Sequence, residues 1–204
     1  MNRFSAHMRL VFHKWCEIPQ LYRLYRKEPS FLLFDLKLFF AYLLSNPYKL
    51  ARGAAPFGST PLSTYAKMAR AFGFKKRSDY LELGSGTGRG ALWYATHLDM
   101  KVRGIDLSPE FTKRARAANH PRAQFSEEDI LNTDLRSADI IYFYNTAFDN
   151  EFMEAFIMKL TEIKPGALLI TISAPLRSKE LYLYKRLEVT FPWGKTFAYC
   201  HRKG

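Results

Sequence analysis

The chain has 204 residues, of which 48% are hydrophobic and 16% are aromatic. This length and composition favour one folded domain with an appendage, and they exclude an intrinsically disordered chain. The formal net charge of +12 predicts an acidic partner such as RNA, an anionic membrane or an acidic protein surface; a basic surface that only keeps the chain soluble is the alternative.

The positive charge lies mainly at the two ends of the chain. Residues 1–60 hold nine Lys and Arg against three Asp and Glu, and residues 174–204 hold seven against two.

Cys16 and Cys200 are far apart in sequence and form no C-x-x-C pair, which favours a reducing cytoplasm. The five histidines are scattered, so we expect no metal site.

Residues 1–56 are predicted to form a basic N-terminal helical extension, ahead of a folded domain over 57–204. Its segment 31–44 is almost wholly apolar but contains Asp35 and Lys37. It is shorter than the roughly 20 apolar residues that cross a bilayer. We therefore expect a buried or groove-capping helix in a cytoplasmic protein; the alternative is a helix in a membrane interface, which would make the protein membrane-peripheral.

After a linker rich in small residues at 53–61, helices and strands alternate along the chain. Apolar residues at helical spacing predict helices at 62–72 and 89–98. Strands are predicted at 80–83, 102–107, 123–125, 139–144 and 167–172, followed by a hairpin of strands 186–191 and 196–202 joined at 192–195. This pattern indicates an α/β fold with a Rossmann-like, doubly wound and mostly parallel seven-stranded sheet that ends in an antiparallel hairpin.

The first predicted strand runs into glycines at alternate positions. Gly84, Gly86 and Gly88 follow the acidic Glu82, with Ser85 inside the loop, and a predicted helix begins at Arg89. A carboxylate here would repel a pyrophosphate and favour a ligand that carries an ammonium or a sulfonium. The stretch 86–91 also fits the G-x-G-x-x-G/A dinucleotide fingerprint, so a dinucleotide site is one alternative, and a glycine-rich loop without a ligand is the other.

Acidic residues also follow the next two strands. Asp106 is placed to accept hydrogen bonds from both ribose hydroxyls of a nucleoside, with Leu107 beside it; capping the next helix is the alternative, although Ser108 suits that role better. Asp129 is placed to accept a bond from an adenine amino group, with Ile130 against the ring. Glu127 and Glu128 are equally well explained as a solvated turn.

The sequence around Glu82 and its glycines resembles motif I of the class I S-adenosylmethionine-dependent methyltransferases, and the resemblance covers about 57–172. It implies S-adenosylmethionine as the cofactor. The segment Asn145-Thr146-Ala147-Phe148 resembles the Asn-x-Ala-Phe signature of the non-SET lysine methyltransferases, the disruptor-of-telomeric-silencing family. Phe57-Gly58-Ser59-Thr60-Pro61 is similar to that family's cofactor-covering loop, although Ser59 stands where the family has Glu. The order of a hydrophobic N-terminal helix, a Ser-Thr-Pro-like loop and a Gly-Ser-Gly motif is also similar to that of the lysine methyltransferases of the ATP-synthase c-subunit.

The family resemblance implies a protein lysine as acceptor. Asn145 would orient the amine and also border the cofactor, Tyr144 and Phe148 would line an aromatic channel, and Thr60 would contact the cofactor. Two alternatives stay open. One is a methyltransferase that acts on RNA, a lipid or a small molecule, although the Asn-Pro-Pro-aromatic motif of amino-methylating nucleic-acid enzymes is missing at 145–148. The other is a non-catalytic adaptor that keeps the fold and binds a partner through its basic ends.

Overall fold

The computed structural model describes residues 60–191 and 194–204, and three isolated positions, Tyr22, Arg26 and Pro29, which are helical and exposed. The predictions for the extension 1–56, the helix 31–44 and the loop 57–59 lie outside the described residues, as does Cys16. The division of the chain at residue 57 stays a prediction.

The described helices and strands alternate along the chain, as the sequence predicts. The helices are α1 (Leu62–Phe72), α2 (Arg89–Leu98), α3 (Pro109–Arg116) and α4 (Asn150–Lys159). The strands are β1 (Asp79–Leu83), β2 (Lys101–Asp106), β3 (Ala123–Glu127), β4 (Ile140–Phe143), β5 (Leu168–Ile172), β6 (Leu181–Phe191) and β7 (Gly194–Lys203). Single 3-10 turns occupy Ile130–Asn132, Asn145–Ala147 and Leu160–Glu162.

The strands form one seven-stranded sheet in the order β3-β2-β1-β4-β5-β7-β6. Strands β1 to β5 pair in parallel, whereas β7 pairs antiparallel with both β5 and β6. The predicted fold class is confirmed. The carboxyl ends of the parallel strands therefore meet at one edge, where doubly wound sheets bind their ligands. We call it the ligand edge.

Apolar side chains cover both faces of the sheet. One buried cluster joins α1, α2 and Ala115 of α3 to Tyr80, Tyr142 and the inner side of the hairpin. A second cluster, around Phe143 and Phe156, packs α4 on the opposite face. Successive residues of a strand point to opposite faces, so each buried strand contributes to both clusters, and its sequence reads as an unbroken apolar run.

The predicted boundaries of α1 and α2 are correct, and those of β1 to β5 are correct to within two residues. The start of β6 is wrong: the strand begins at Leu181, five residues before the predicted Arg186. A register shift between Leu183 and Lys185 breaks the alternation, and Tyr182 to Tyr184 are all exposed, so this part of the edge strand lacks a two-residue pattern. The predicted connection 192–195 is also too long, because Gly194 and Lys195 pair with Phe191 and Thr190.

Two buried side chains in β7 have structural roles. The His201 ring contacts the carbonyl oxygen of Leu169 at 3.2 Å and accepts a bond from the Leu176 N–H, and burial lowers its pKa. Burial raises the pKa of the Cys200 thiol to about 12, so that the thiol stays protonated. Within the described ranges, no helix has the length and apolarity needed to span a membrane, and no three potential metal ligands form a group. The cytoplasmic location stays a prediction.

Candidate active site at the ligand edge

The loop after β1 adopts a backbone that requires glycine. Gly84, Gly86 and Gly88 have φ angles of 74°, 53° and 73°, all in the left-handed region. The Ser85 N–H donates to the carbonyl oxygen of Ile105 at 2.7 Å, and the Gly88 N–H donates to that of Ser85 at 2.9 Å. The loop is thus tied to β2 and turns directly into α2, so that the helix N-terminus points to the ligand edge.

The glycines of this segment have different structural roles. A Cβ atom on Gly84 would meet no atom within 4 Å, which leaves space for a ligand on that side. A Cβ atom on Gly88 would lie 2.5 Å from the Phe125 ring, and one on Gly90 would lie 2.2 Å from the Tyr65 ring. Gly84 therefore faces the site, whereas Gly88 and Gly90 let α2 pack closely against its neighbours.

Asp106 holds this loop in place through both of its carboxylate oxygens. Oδ2 accepts the Gly86 N–H and Oδ1 accepts the Ser108 N–H, each at 2.8 Å. Ser108 caps α3, as predicted, because its hydroxyl accepts the Phe111 N–H at 3.3 Å. A carboxylate has about four lone-pair positions, so two acceptor positions remain for ribose hydroxyls. Leu107 is 66% exposed and is therefore accessible to a ligand.

Asp106→Ala is expected to weaken binding of S-adenosylhomocysteine by roughly 1.5–3 kcal/mol, the range for hydrogen bonds to a charged group. Calorimetry with S-adenosylhomocysteine and its 2′-deoxy analogue separates ribose binding from loop support. If Asp106 binds the ribose, the two ligands differ in affinity for the parent protein and much less for the variant. An equal loss for both ligands would mean that Asp106 only supports the loop.

The segment after β3 supplies the predicted adenine-binding residues. Asp129 begins the first 3-10 turn, where its Oδ1 accepts the Leu131 N–H at 2.9 Å, which leaves Oδ2 for an amino group. Ile130 is buried in the second cluster. Glu128 accepts a bond from the Ser126 hydroxyl at 3.1 Å, and Glu127 is exposed. The adenine contact of Asp129 and Ile130 stays a prediction.

Glu82 is buried below the glycine loop, with 3% of its surface exposed. The Tyr65 hydroxyl donates to its Oε1 at 2.5 Å, and its Oε2 has no hydrogen-bond partner among the described residues. Burial raises the pKa of Glu82 to about 7; the bond from Tyr65 and the backbone N–H of Ala91 lower it, and the charge of Asp106 raises it further.

Thr60 lies two residues before the start of α1 and is buried. Its hydroxyl oxygen is 2.6 Å from the Tyr142 hydroxyl oxygen, and the Tyr142 and Tyr65 rings lie 5.4 Å apart. Thr60 is thereby connected to the tyrosines around Glu82. The contact of Thr60 with the cofactor stays a prediction. In this structure its hydroxyl is bonded to that of Tyr142.

Asn145 follows β4 and is 5% exposed. Its Nδ2 donates to the carbonyl oxygen of Ala174 at 3.2 Å, and the Thr171 hydroxyl donates to the same oxygen at 2.8 Å. The amide orientation is fixed by this bond, and Oδ1 is left buried without a partner within the described part of the chain. A buried acceptor of this kind is costly unless a ligand satisfies it.

The two predicted aromatic residues flank Asn145 on different sides of the sheet. Tyr144 packs against the first cluster, and its ring meets Phe191 at 5.8 Å. Phe148 packs against the second cluster, 4.2 Å from the Phe152 ring and 5.1 Å from the Phe143 ring. Both are half-buried, and they do not share one wall. Asp149 caps α4 by accepting the Phe152 N–H.

Sequence reasoning missed Tyr65 and Tyr142. Both lie among apolar residues in the sequence and are therefore expected in the core. Only the fold brings the Tyr65 hydroxyl to Glu82 and the Tyr142 hydroxyl to Thr60. The one sequence signal was the glycine at position 90, whose missing side chain makes room for the Tyr65 ring.

The described residues fit S-adenosylmethionine. Open space beside Gly84, an unpartnered carboxylate oxygen on Glu82 and an exposed Leu107 offer places for its amino-acid and adenosyl parts. A pyrophosphate would meet the Glu82 carboxylate, and β7 enters the sheet antiparallel, unlike the 3-2-1-4-5-6 order of dinucleotide-binding domains.

Comparison with known proteins agrees with this geometry. Residues 81–164 match the family model described as a methyltransferase domain. No curated protein sequence matches significantly. Among solved structures, the chain resembles an RNA methyltransferase from Salinibacter ruber, crystallised with S-adenosyl-L-homocysteine, at 18% identity over 70% of this chain and 91% of that one, with a TM-score of 0.58.

Two further neighbours have the same fold. TrmN from Thermus thermophilus has 16% identity over 72% of this chain and 50% of its own, with a TM-score of 0.60. The N-methyltransferase NodS from Bradyrhizobium japonicum WM9 has 17% identity over 71% and 98%, with a TM-score of 0.55. At these identities the structural similarity shows the fold, and the acceptor of each neighbour is a property of that neighbour alone. The enzyme class predicted from motif I is confirmed by the family match together with this fold.

Proposed function

We propose that this class I S-adenosylmethionine-dependent methyltransferase, with S-adenosylmethionine as its cofactor, transfers the methyl group to the side-chain amine of a protein lysine. One observation carries the proposal. Asn145, at the end of β4, has a fixed amide and a buried Oδ1 that lacks a partner among the described residues. An amine is a suitable partner, because it has N–H donors for Oδ1 and a lone pair for the reaction.

When bound, the cofactor supplies a methyl group made electrophilic by its sulfonium. The chain has to hold the acceptor nitrogen neutral and in line with that methyl group. Asn145 contributes orientation: by accepting one N–H at Oδ1, it restricts the direction of the nitrogen lone pair. Ala174 supports this orientation, since its carbonyl oxygen anchors Nδ2.

The surroundings of Asn145 favour the neutral form of an amine. Lysine has an ordinary pKa of about 10.4, so most of it is protonated near neutral pH. Asn145 is 5% exposed, so an amine bonded to its Oδ1 would lose most of its contact with water. Desolvation disfavours the charged ammonium and lowers the amine pKa. The amine transfers its proton to solvent water as it enters the site, and the neutral nitrogen is then the nucleophile.

RNA is the second candidate acceptor, favoured by the charge of the chain. Residues 174–204 hold seven Lys and Arg against two Asp and Glu, and both acids, Glu180 and Glu188, already pair with Lys203 and Lys195. Such a surface attracts phosphates. An acidic protein surface would respond to the same charge, so the charge alone does not select RNA over protein.

Incubation with methyl-labelled S-adenosylmethionine and an extract from the source cells tests the acceptor class. We expect label in protease-sensitive material, and N-methyllysine after acid hydrolysis. Catalytically impaired Asn145→Ala protein serves as the control for labelling by other enzymes in the extract. Label confined to nuclease-sensitive or solvent-extractable material would contradict the lysine proposal and favour RNA or lipid.

A further inference from the structure

The hydrogen bond between Tyr65 and Glu82 joins α1 to β1, two elements that are separate in the sequence. Tyr65 lies on α1, ahead of the methyltransferase match at 81–164, and Glu82 lies in β1 within it. The Tyr65 hydroxyl donates to Oε1 of Glu82 at 2.5 Å, and both residues are at most 4% exposed. α1 therefore contributes a side chain that touches the motif I acid.

Two contacts hold Tyr65 in place independently of Glu82. The Tyr94 hydroxyl donates to the Tyr65 carbonyl oxygen at 3.1 Å, which ties α1 to α2. The Tyr65 ring lies over Gly90, at a position where any Cβ atom would lie 2.2 Å from it. Tyr65 is thus fixed from both sides, and its hydroxyl direction is set by the packing of the two helices.

The titratable groups that interact electrostatically with Glu82 come from five elements. They are the hydroxyls of Tyr65 on α1, Tyr80 on β1, Tyr94 on α2 and Tyr142 on β4, and the carboxylate of Asp106 on β2. Burial raises the pKa of Glu82 to about 7, and the Tyr65 bond is the largest influence that lowers it. Among the residues that the structure describes, Glu82 forms no ion pair, so its charge has no cation to oppose it.

We propose that Tyr65 is a positioning residue for the cofactor: it holds the Glu82 carboxylate in one orientation, with Oε2 left to meet the positive charge of the cofactor's methionine part. The proposal rests on the cofactor and not on the acceptor, so it stands or falls separately from the lysine assignment. It also assigns a function to α1, since the side-chain hydrogen-bond partner of Glu82 lies outside the matched segment 81–164.

Tyr65→Phe removes the hydroxyl and keeps the ring. We expect binding of S-adenosylhomocysteine, measured by calorimetry, to weaken about tenfold near pH 7, as for the loss of a hydrogen bond to a charged group. The hydrogen bond from Tyr65 favours the ionised carboxylate of Glu82. Only the ionised form attracts the positive charge of the cofactor's methionine part, so affinity depends on pH. Affinity in the parent should rise with pH through about 7. In the variant, that rise should move to higher pH.

The matched control is Tyr80→Phe, which removes a hydroxyl from the same buried cluster. The Tyr80 hydroxyl has no hydrogen-bond partner among the described residues, so its loss should leave affinity and pH midpoint nearly unchanged. A second readout needs no ligand: the carboxyl NMR resonance of Glu82, assigned with Glu82→Gln, should titrate at higher pH in Tyr65→Phe than in the parent. An unmoved titration in Tyr65→Phe, or an equal effect of Tyr80→Phe, would overturn the proposal.

Discussion

Gly86→Val is expected to abolish measurable binding of S-adenosylhomocysteine while leaving a folded protein. Gly86 has a φ of 53°, and its N–H donates to Oδ2 of Asp106 at 2.8 Å. Holding a non-glycine residue in this region costs about 1–3 kcal/mol, and a β-branched side chain stands at the upper end. The loop relieves that strain by leaving the left-handed conformation, which breaks the bond to Asp106 and changes the surface that meets the ligand. We expect an affinity loss of at least about a hundredfold.

The control for Gly86→Val is the same substitution at Gly166. Gly166 also has a left-handed φ, 79°, and a Cβ there would meet no atom within 4 Å. It lies in the turn before β5, at the opposite edge of the sheet from the glycine loop. Gly166→Val should lower the melting temperature through backbone strain and retain ligand binding. If both variants bind S-adenosylhomocysteine like the parent, the glycine loop is not the cofactor site.

The sequence predicts the fold well where its signals are local. Continuous apolar runs at 139–144 and 167–172 identify strands buried on both faces, and helical spacing locates α1 and α2. It fails at Leu181–Tyr184, because an edge strand with a register shift has no burial pattern to detect. The side-chain pattern of β6 is set by its partner β7 and by solvent, not by its own alternation.

The candidate site shows the same division. Glu82, Asp106 and Asn145 are found from sequence because each follows or ends a strand whose carboxyl end lies at the ligand edge. The hydrogen bonds that orient them come from distant residues: Tyr65 for Glu82 and Ala174 for Asn145. The carbonyl of Ala174 carries no sequence signature, and Tyr65 is marked only indirectly, by the glycine at position 90 that makes room for its ring. Long-range pairing in the folded chain decides which acceptor atoms remain unsatisfied.

Asn145→Ala should lower kcat about a hundredfold at saturating S-adenosylmethionine, the order of the loss caused by a misplaced reactant. The Kd for S-adenosylhomocysteine should stay nearly unchanged, because Glu82 and Asp106 are untouched. Asn150→Ala is the matched control: it removes an exposed amide five residues away, on the first position of α4, and should keep full activity.

The pH dependence distinguishes orientation by Asn145 from a structural role. At saturating cofactor, the titration of Glu82 near pH 7 no longer limits the rate, so the remaining rise of kcat with pH reports loss of the proton from the acceptor amine. Asn145 does not titrate, so Asn145→Ala should reduce kcat at every pH without moving the midpoint far. If the variant instead loses melting temperature and cofactor affinity together with activity, Asn145 only satisfies backbone groups at the end of β4, and its Oδ1 does not meet the acceptor.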